Sequence, residues 1–297
     1  MAHDHGTTSY GRAFAIGIGL NVVFVAIEAG YGVLARSLAL VADAGHNLSD
    51  VLGLALAWGA AWLGARAATE RRTFGFRKAT IMASLASAIL LVLALGAIAW
   101  EAFGRFVTPA PVEGRIVIWV ASIGVVINTI TALLFWSGQK HDLNIRGAFL
   151  HMAADAGVSL GVVVAGIVTM TFGWLWIDPA ISLLIVAVIL VGTWPLLRES
   201  MNLAMDSVPS SVDIQAIHDY LTSLGGVRQL HDLHVWPLST TEVALSVHLV
   251  LAEDSQDSQY LARIQKALHD RFDIEHSTVQ IERPDDATCA LDKDACI

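Results

Sequence analysis

Charge is what this 297-residue chain has least of: 15% of its residues are charged, against roughly 25% in an ordinary soluble domain. Cysteine is scarcer still. Cys289 and Cys296 are the only two, both near the C-terminus, which excludes a disulfide framework. Net positive charge is absent as well. The balance is −9, which argues against nucleic acid as a partner. No His-Glu-x-x-His occurs and no Ser/His/Asp arrangement stands out, so a membrane metallohydrolase would lack its general base. The N-terminus has neither a basic region nor a small-residue cleavage site before Arg12. The first apolar segment is therefore expected to be a retained anchor rather than a cleaved signal.

What the chain does have is long apolar runs, with hydrophobic residues making up 55% of it. No charged residue falls between Lys78 and Glu101, between Arg115 and Lys140, between Asp155 and Asp178, or between Asp178 and Arg198. A membrane-crossing helix needs about 20 mostly apolar residues, and each run supplies nearly that or more. A soluble helix this long would show a polar stripe. The reading is six spanning helices: Arg12–Leu34, Leu38–Gly64, Ala79–Phe103, Gly114–Gln139, Asn144–Phe172 and Ile177–Leu197. With an even number of spans the termini share a side. On that side fall Arg12, Arg66, Arg71, Arg72, Arg77, Lys78, Lys140, Arg146 and Arg198, against Arg36, Arg105 and Arg115 on the other. Basic residues accumulate on the cytoplasmic side, so both termini are expected there, in a plasma membrane of bacterial inner-membrane type.

The chain up to Asp206 carries twelve acidic and twelve basic residues, and the remainder fifteen acidic against six basic. The expected organisation is a cytoplasmic N-terminal tail over 1–11 and a six-helix transport domain over 12–206. A cytoplasmic metal-sensing and dimerisation domain over 207–284 and a cysteine-containing tail over 285–297 follow. Residues 211–224 have helical spacing with Ser or Asp at the start. Residues 227–238 and 242–251 read as strands, 257–272 as an amphipathic helix and 277–282 as a last strand. The order is α-β-β-α-β.

An ionisable side chain at membrane depth costs a few kcal/mol on insertion scales and is a functional candidate by default. His46 and Asp50 lie in the second span, His151 and Asp155 in the fifth. Each pair is spaced i, i+4 and so points from one helix face. Two such faces brought together present two imidazoles and two carboxylates, a tetrahedral set suited to Zn²⁺ and tolerant of Co²⁺ or Cd²⁺. Without a thiolate the set does not suit Cu⁺, and Mg²⁺ or Ca²⁺ would want more oxygens. The bland alternative, two buried polar pairs joining helices, suits one copy of the pattern better than two. Asp43, one turn before His46, could be a ligand itself but reads rather as a partner behind the ligands or a helix-start cap, and Asn47 as packing or as another such partner. Glu28 and Asn21 share a face of the first span, either pairing with a neighbouring helix or lining the path. In the tail, His231, His248, His276, Glu282, Cys289 and Cys296 are candidates for a cytoplasmic metal site. His234 reads as core, His218, His269 and His141 as exposed, and His3 and His5 as either site extensions or a plain polar start.

Residues 40–50 (LVADAGHNLSD), 72–78 (RTFGFRK), 144–151 (NIRGAFLH) and 231–236 (HDLHVW) together resemble the cation diffusion facilitator family. The likeness is to its zinc-transporting branch, the bacterial cobalt-zinc-cadmium efflux type and vesicular zinc transporters. The resemblance covers nearly the whole chain. It implies a membrane all-α six-helix domain, a cytoplasmic α+β ferredoxin-like domain, a homodimer and exchange of metal for protons. It favours His231, His248 and Glu282 in the cytoplasmic site. It also implies a charge interlock between Lys78 and Asp206, with Arg77 as a substitute cation and two independently solvated charges as the alternative. Some members carry a metal site between helices two and three, but 67–75 contains no His or Asp here, so that site is expected to be missing.

Imidazole must be neutral and carboxylate ionised to hold a metal, so binding expels protons. A secondary active antiporter exporting Zn²⁺, by alternating access and against inward protons, is therefore the expected function, not an enzyme. A passive channel or a metal sensor without transport are the rivals. The sensor would leave the charged pairs within the membrane unexplained.

Overall fold

The structure, a computed structural model, describes residues 10–64, 66–136, 143–252 and 259–283. Six long helices come first: α1 (Tyr10–Leu34), α2 (Leu38–Gly64), α3 (Ala79–Val107), α4 (Gly114–Phe135), α5 (Leu143–Phe172) and α6 (Ile177–Ala204). They are followed by α7 (Ile214–Thr222), β1 (Val227–Pro237), β2 (Val243–Leu251), α8 (Tyr260–Phe272) and β3 (Ile274–Glu282). The chain forms two compact units, Met1–Ala55 with Ser87–Trp194, and Leu56–Ala86 with Pro195–Ile297.

In the first unit the burial is inverted relative to a soluble protein. Trp100, Val107, Trp119 and Val191 are largely exposed, while Glu28, Asp43, Asn128 and Ser159 are fully buried. Lipid takes apolar side chains without cost and takes polar ones only at several kcal/mol. Polar groups therefore turn inward, around a core of Phe24, Leu40, Leu95, Val117, Val162 and Ile185. Stretches of α3, α4, α5 and α6 are long and apolar enough to cross a membrane.

Two local features set this packing. At one end, Asp178 in the first turn of α6 takes the first backbone N–H groups of α2, Leu38 at 2.8 Å and Ala39 at 3.4 Å, together with the Ser37 hydroxyl. A carboxylate at a helix N-terminus satisfies orphan donors and complements the helix dipole. Arg105 of α3 stands 3.6 Å from the same carboxylate and also donates to the Arg36 carbonyl. The second feature is close approach of α4 and α5. A Cβ on Gly166 would lie 2.9 Å from Ile118 Cγ1, and one on Gly124 would lie 2.7 Å from Phe24 Cζ and 3.1 Å from Ser159 Oγ. Small residues at these positions let helix backbones meet where lipid provides no hydrophobic drive.

Helix α6 runs on past Leu197, where the sequence reading stops it, to Ala204. Pro195 removes one backbone donor, a loss membrane helices tolerate. Beyond it no breaker follows, and Ser200 Oγ pairs with Ser84 Oγ of α3 at 2.8 Å. The fourth reading, to Gln139, passes into residues 137–142, outside the described residues.

In the second unit β1 pairs antiparallel with β2, and β2 parallel with β3. The parallel pair needs a crossover, and α8 supplies it. Helix α7 starts where Asp213 Oδ1 accepts the Ala216 N–H at 3.0 Å. The odd positions of β2 from Val243 to Leu251 join Ile217, Leu221, Ile264 and Leu268 in one core. The even positions, His248 among them, therefore face the other way. Helix α8 ends on Asp273 at φ 56°, a left-handed conformation that Asp tolerates better than most residues.

Candidate metal centre

In the first unit, His46 projects from α2, and His151 and Asp155 project from one face of α5. His46 Nε2 lies 3.3 Å from Asp155 Oδ1, and His151 Nε2 lies 3.7 Å from Asp155 Oδ2. The imidazole rings meet edge to face with centroids 5.8 Å apart. One ligand atom from each of the three residues falls within 4.8 Å of the others. Asp155 is buried, His46 partly so and His151 open. Asp50 sits one helical turn after His46 on α2, and its side chain lies outside those described.

Behind these groups stand two more carboxylates. Asp43, fully buried, accepts the Ser159 hydroxyl of α5 at 2.8 Å. Glu28 of α1, also fully buried, accepts the Asn47 amide at 3.2 Å. Asp43 is thus the tie between α2 and α5 rather than a cap, since α2 begins five residues earlier at Leu38. Glu28 takes the pairing role of the two open to it. Among the described residues no Lys or Arg pairs with Glu28, Asp43 or Asp155. Three buried carboxylates without a fixed cation, one of them facing two imidazoles, make a locus where a mobile cation is favoured.

The second unit holds another cluster. His231 on β1 lies directly across from His248 on β2, which pairs with Gln280 on β3. Glu282 is two residues further along β3 and so on the same face. Its two oxygens reach different rings: Oε2 is 3.0 Å from His231 Nε2 and Oε1 is 3.1 Å from His248 Nδ1. The three offer ligand atoms within 4.8 Å of one another. A bulge between His231 and His234, with Asp232 at φ 53°, turns Asp232 towards the same cluster, 3.6 Å from His248 Nε2.

The bulge also overturns the reading of His234 as core. Past it the alternation shifts, and His234 is exposed, bonded to Asp232 at 3.0 Å. His276 likewise does not join the cluster. It sits at the opposite end of β3 from Glu282, opposite Ala244 where Glu282 is opposite Val250. Six residues of strand amount to about 20 Å, too far for one ion. Its ring instead meets Phe74 edge-on at 5.3 Å. Cys289, Cys296, His3, His5 and His141 lie outside the described residues.

At the start of α3, Lys78 Nζ is 2.6 Å from Asp206 Oδ1, both about half exposed, and Arg77 pairs instead with Glu242 at 3.0 Å.

The model of the cation efflux transmembrane domain matches residues 14–203, and that of the cation efflux protein cytoplasmic domain matches residues 209–284. The chain belongs to the cation efflux family. This is the cation diffusion facilitator family of the motifs, and the chain is an integral membrane transporter of that family. It is 36% identical over 282 residues to the metal cation efflux system protein CzcD of Cupriavidus metallidurans, covering 95% of this chain and 89% of that one. It is 34% identical over 291 residues to the zinc transporter ZitB of Escherichia coli, covering 95% and 93%. To the cadmium, cobalt and zinc/H(+)-K(+) antiporter of Bacillus subtilis it is 32% identical over 287 residues, covering 95% and 92%. A solved structure of the metal-bound C-terminal domain of the CzcD transporter from Cupriavidus metallidurans is 34% identical. It covers 24% of this chain and 99% of that one, with a TM-score of 0.22.

Two cation efflux site neighbours escape the sequence reading. Ser159 and Asp232 carry ordinary polar side chains whose place beside a histidine cluster depends on helix register and a strand bulge. Asp232 had one usable signal, its position next to His231 in the 231–236 motif.

Proposed function

We propose that this cation efflux protein exports divalent transition-metal ions, Zn²⁺ foremost and also Cd²⁺ and Co²⁺, from the cytoplasm in exchange for protons. The observation that carries the reading is the convergence of His46, His151 and Asp155 within one ion's reach, on two helices that each bear the His-x-x-x-Asp pattern. Asp50 completes a two-imidazole, two-carboxylate set. The names of the relatives support the choice of ion.

The His46–Asp155 contact supports the coupling. The 3.3 Å separation of Nε2 and Oδ1 is within hydrogen-bonding reach, which supports a proton shared between them when no metal is bound. A metal ion needs the same two atoms as bare lone pairs, so proton and metal exclude each other there. A site opened alternately to the two sides then exchanges one for the other, with helices rocking as the ion passes. Six spanning helices with both termini cytoplasmic, and a ferredoxin-like cytoplasmic domain that pairs two copies of the chain, complete the architecture. In that domain His231, His248 and Glu282 bind metal and regulate, because they lie outside the membrane path. Lys78 and Asp206 form the charge interlock at the membrane surface.

The test is metal uptake into proteoliposomes with and without a pH gradient, repeated with a K⁺ gradient because one relative's name includes that ion. A pH gradient that drives metal uphill supports antiport. Flux indifferent to both gradients makes the protein a channel. Asp50→Ala and Asp155→Ala each abolish flux, and His46→Asp widens the ion range by replacing nitrogen with oxygen. Zinc flux retained in both alanine variants removes the membrane site.

A further inference from the structure

Asn128 is fully buried in the middle of α4, and neither its amide nitrogen nor its amide oxygen has a hydrogen-bond partner among the described residues. A buried amide left unpaired in a low-dielectric interior is destabilising, because it has given up its hydrogen bonds to water and gained none. Apolar residues are available to membrane helices at no such cost, so the amide calls for a partner that arrives in another state.

The packing of α4 on α5 says what lies opposite. Near one end, Gly166 abuts Val117 and Ile118, and nearer the middle Gly124 abuts Ser159 Oγ. At the other end Trp136 and Phe149 stack edge to face with centroids 5.4 Å apart. Each step forward on α4 is matched by a step back on α5, as antiparallel helices require. One helical turn beyond Gly124 on α4 is Asn128, and one turn before Ser159 on α5 is Asp155. The two therefore oppose each other across a close-packed interface. Asp155 is itself incomplete. Oδ1 is engaged by His46, while Oδ2 is buried with no hydrogen bond and only a 3.7 Å approach from His151.

We propose that Asn128 positions Asp155 for the transported metal: once an ion occupies the site, the Asn128 amide donates to the Asp155 oxygen that does not bind it. This rests on the metal-transport reading of the His46, His151 and Asp155 cluster. A carboxylate ligand with one oxygen on a cation and the other on an amide donor is locked in one orientation, and its basicity is set by that donor. In the present arrangement the bond is unmade, with Asp155 Oδ1 engaged by His46 and Oδ2 without a hydrogen bond. Asn128 is a positioning residue and does not touch the ion.

The experiment is zinc and cadmium transport by full-length protein in proteoliposomes, comparing wild type with Asn128→Leu and Asn128→Ser. Leucine keeps the volume and removes the donor, while serine keeps a donor hydroxyl. Asn128→Leu raises the KM for Zn²⁺ about 10–100-fold, the usual consequence of losing a partner that orients a metal ligand. Its maximal rate changes less, and its cadmium-to-zinc ratio shifts. Asn128→Ser recovers part of the KM. A KM and ion ratio unchanged in Asn128→Leu overturn the proposal, as does a fall in maximal rate alone. If the leucine variant does not reach the membrane, a serine variant with wild-type KM and a Thr variant that matches it support the donor role, and an Ala variant equal to both overturns it. Absence of metal transport by the wild type would instead refute the function on which the inference rests.

Discussion

Replacing Glu282 by Gln removes one negative charge from the cytoplasmic cluster while keeping its shape. The geometry makes the consequence calculable. Glu282 turns its two oxygens to both imidazoles, at 3.0 and 3.1 Å, so an ion held between His231 and His248 takes an anionic ligand from this side chain. With free Zn²⁺ at about 100 times the dissociation constant, binding to the folded state alone stabilises it by about 2.7 kcal/mol. For a domain the size of residues 209–284, each kcal/mol moves the melting temperature by roughly 4–8 °C. The metal-induced shift is then about 11–22 °C. Loss of a direct ligand weakens binding by at least the roughly 100-fold upper figure for groups that only orient ligands. At the same Zn²⁺ concentration the stabilisation falls to about 0.4 kcal/mol and the shift to about 2–3 °C. The assay is thermal unfolding of the domain, with metal and with chelator, comparing the shift within each variant so that any change in metal-free stability cancels. A Gln variant that keeps the full shift shows that Glu282 is not a ligand, and the cluster would then be an ordinary hydrogen-bonded triad.

Four further outcomes follow from particular contacts. In a double-mutant cycle of Lys78→Ala with Asp206→Asn, followed by thermal unfolding in detergent, the pair couples by about 0.2–1 kcal/mol, the range for half-exposed ion pairs. Asn is used because Asp206 sits at φ 59°, where alanine would add backbone strain, and strictly additive losses would show that the residues do not communicate. Gly124→Ala destabilises by about 1–3 kcal/mol through overlap with Phe24, and Phe24→Leu restores most of it, both read as melting temperature. Asn47→Leu leaves a Glu28 oxygen unpaired and costs about 1–3 kcal/mol, whereas Glu28 and Asn47 replaced together by Met and Leu cost less than the sum. Lys266, 2.8 Å away, holds the Asp270 carboxyl below its ordinary range. Asp270 therefore contributes stability above the ordinary carboxylate range that is lost as pH falls through its lowered value. Lys266→Met raises that value, which a carboxyl NMR titration detects, and an unmoved titration would show that the ammonium is not the cause.

Much about this protein was decided by local pattern. Uncharged runs of about twenty residues read as helices because no water is available inside a bilayer to satisfy open backbone groups. The i, i+4 spacing of His46 with Asp50 and of His151 with Asp155 put each pair on one face before any packing was known. The amphipathic α7 and α8 and the alternation along β2 were legible for the same reason: one face buries and the other does not. What the pattern could not decide was which faces meet. That Ser159 bonds Asp43 and that Asp178 closes the start of α2 from 140 residues away both depend on helix register. Register here is set by glycines whose meaning appears only when a neighbour's atoms are in place. On the sheet, the bulge between His231 and His234 moved His234 out of the core and brought Asp232 to the His231, His248 and Glu282 cluster. The length of β3 separated His276 from Glu282, because alternation tells a residue's face but not its distance along the strand.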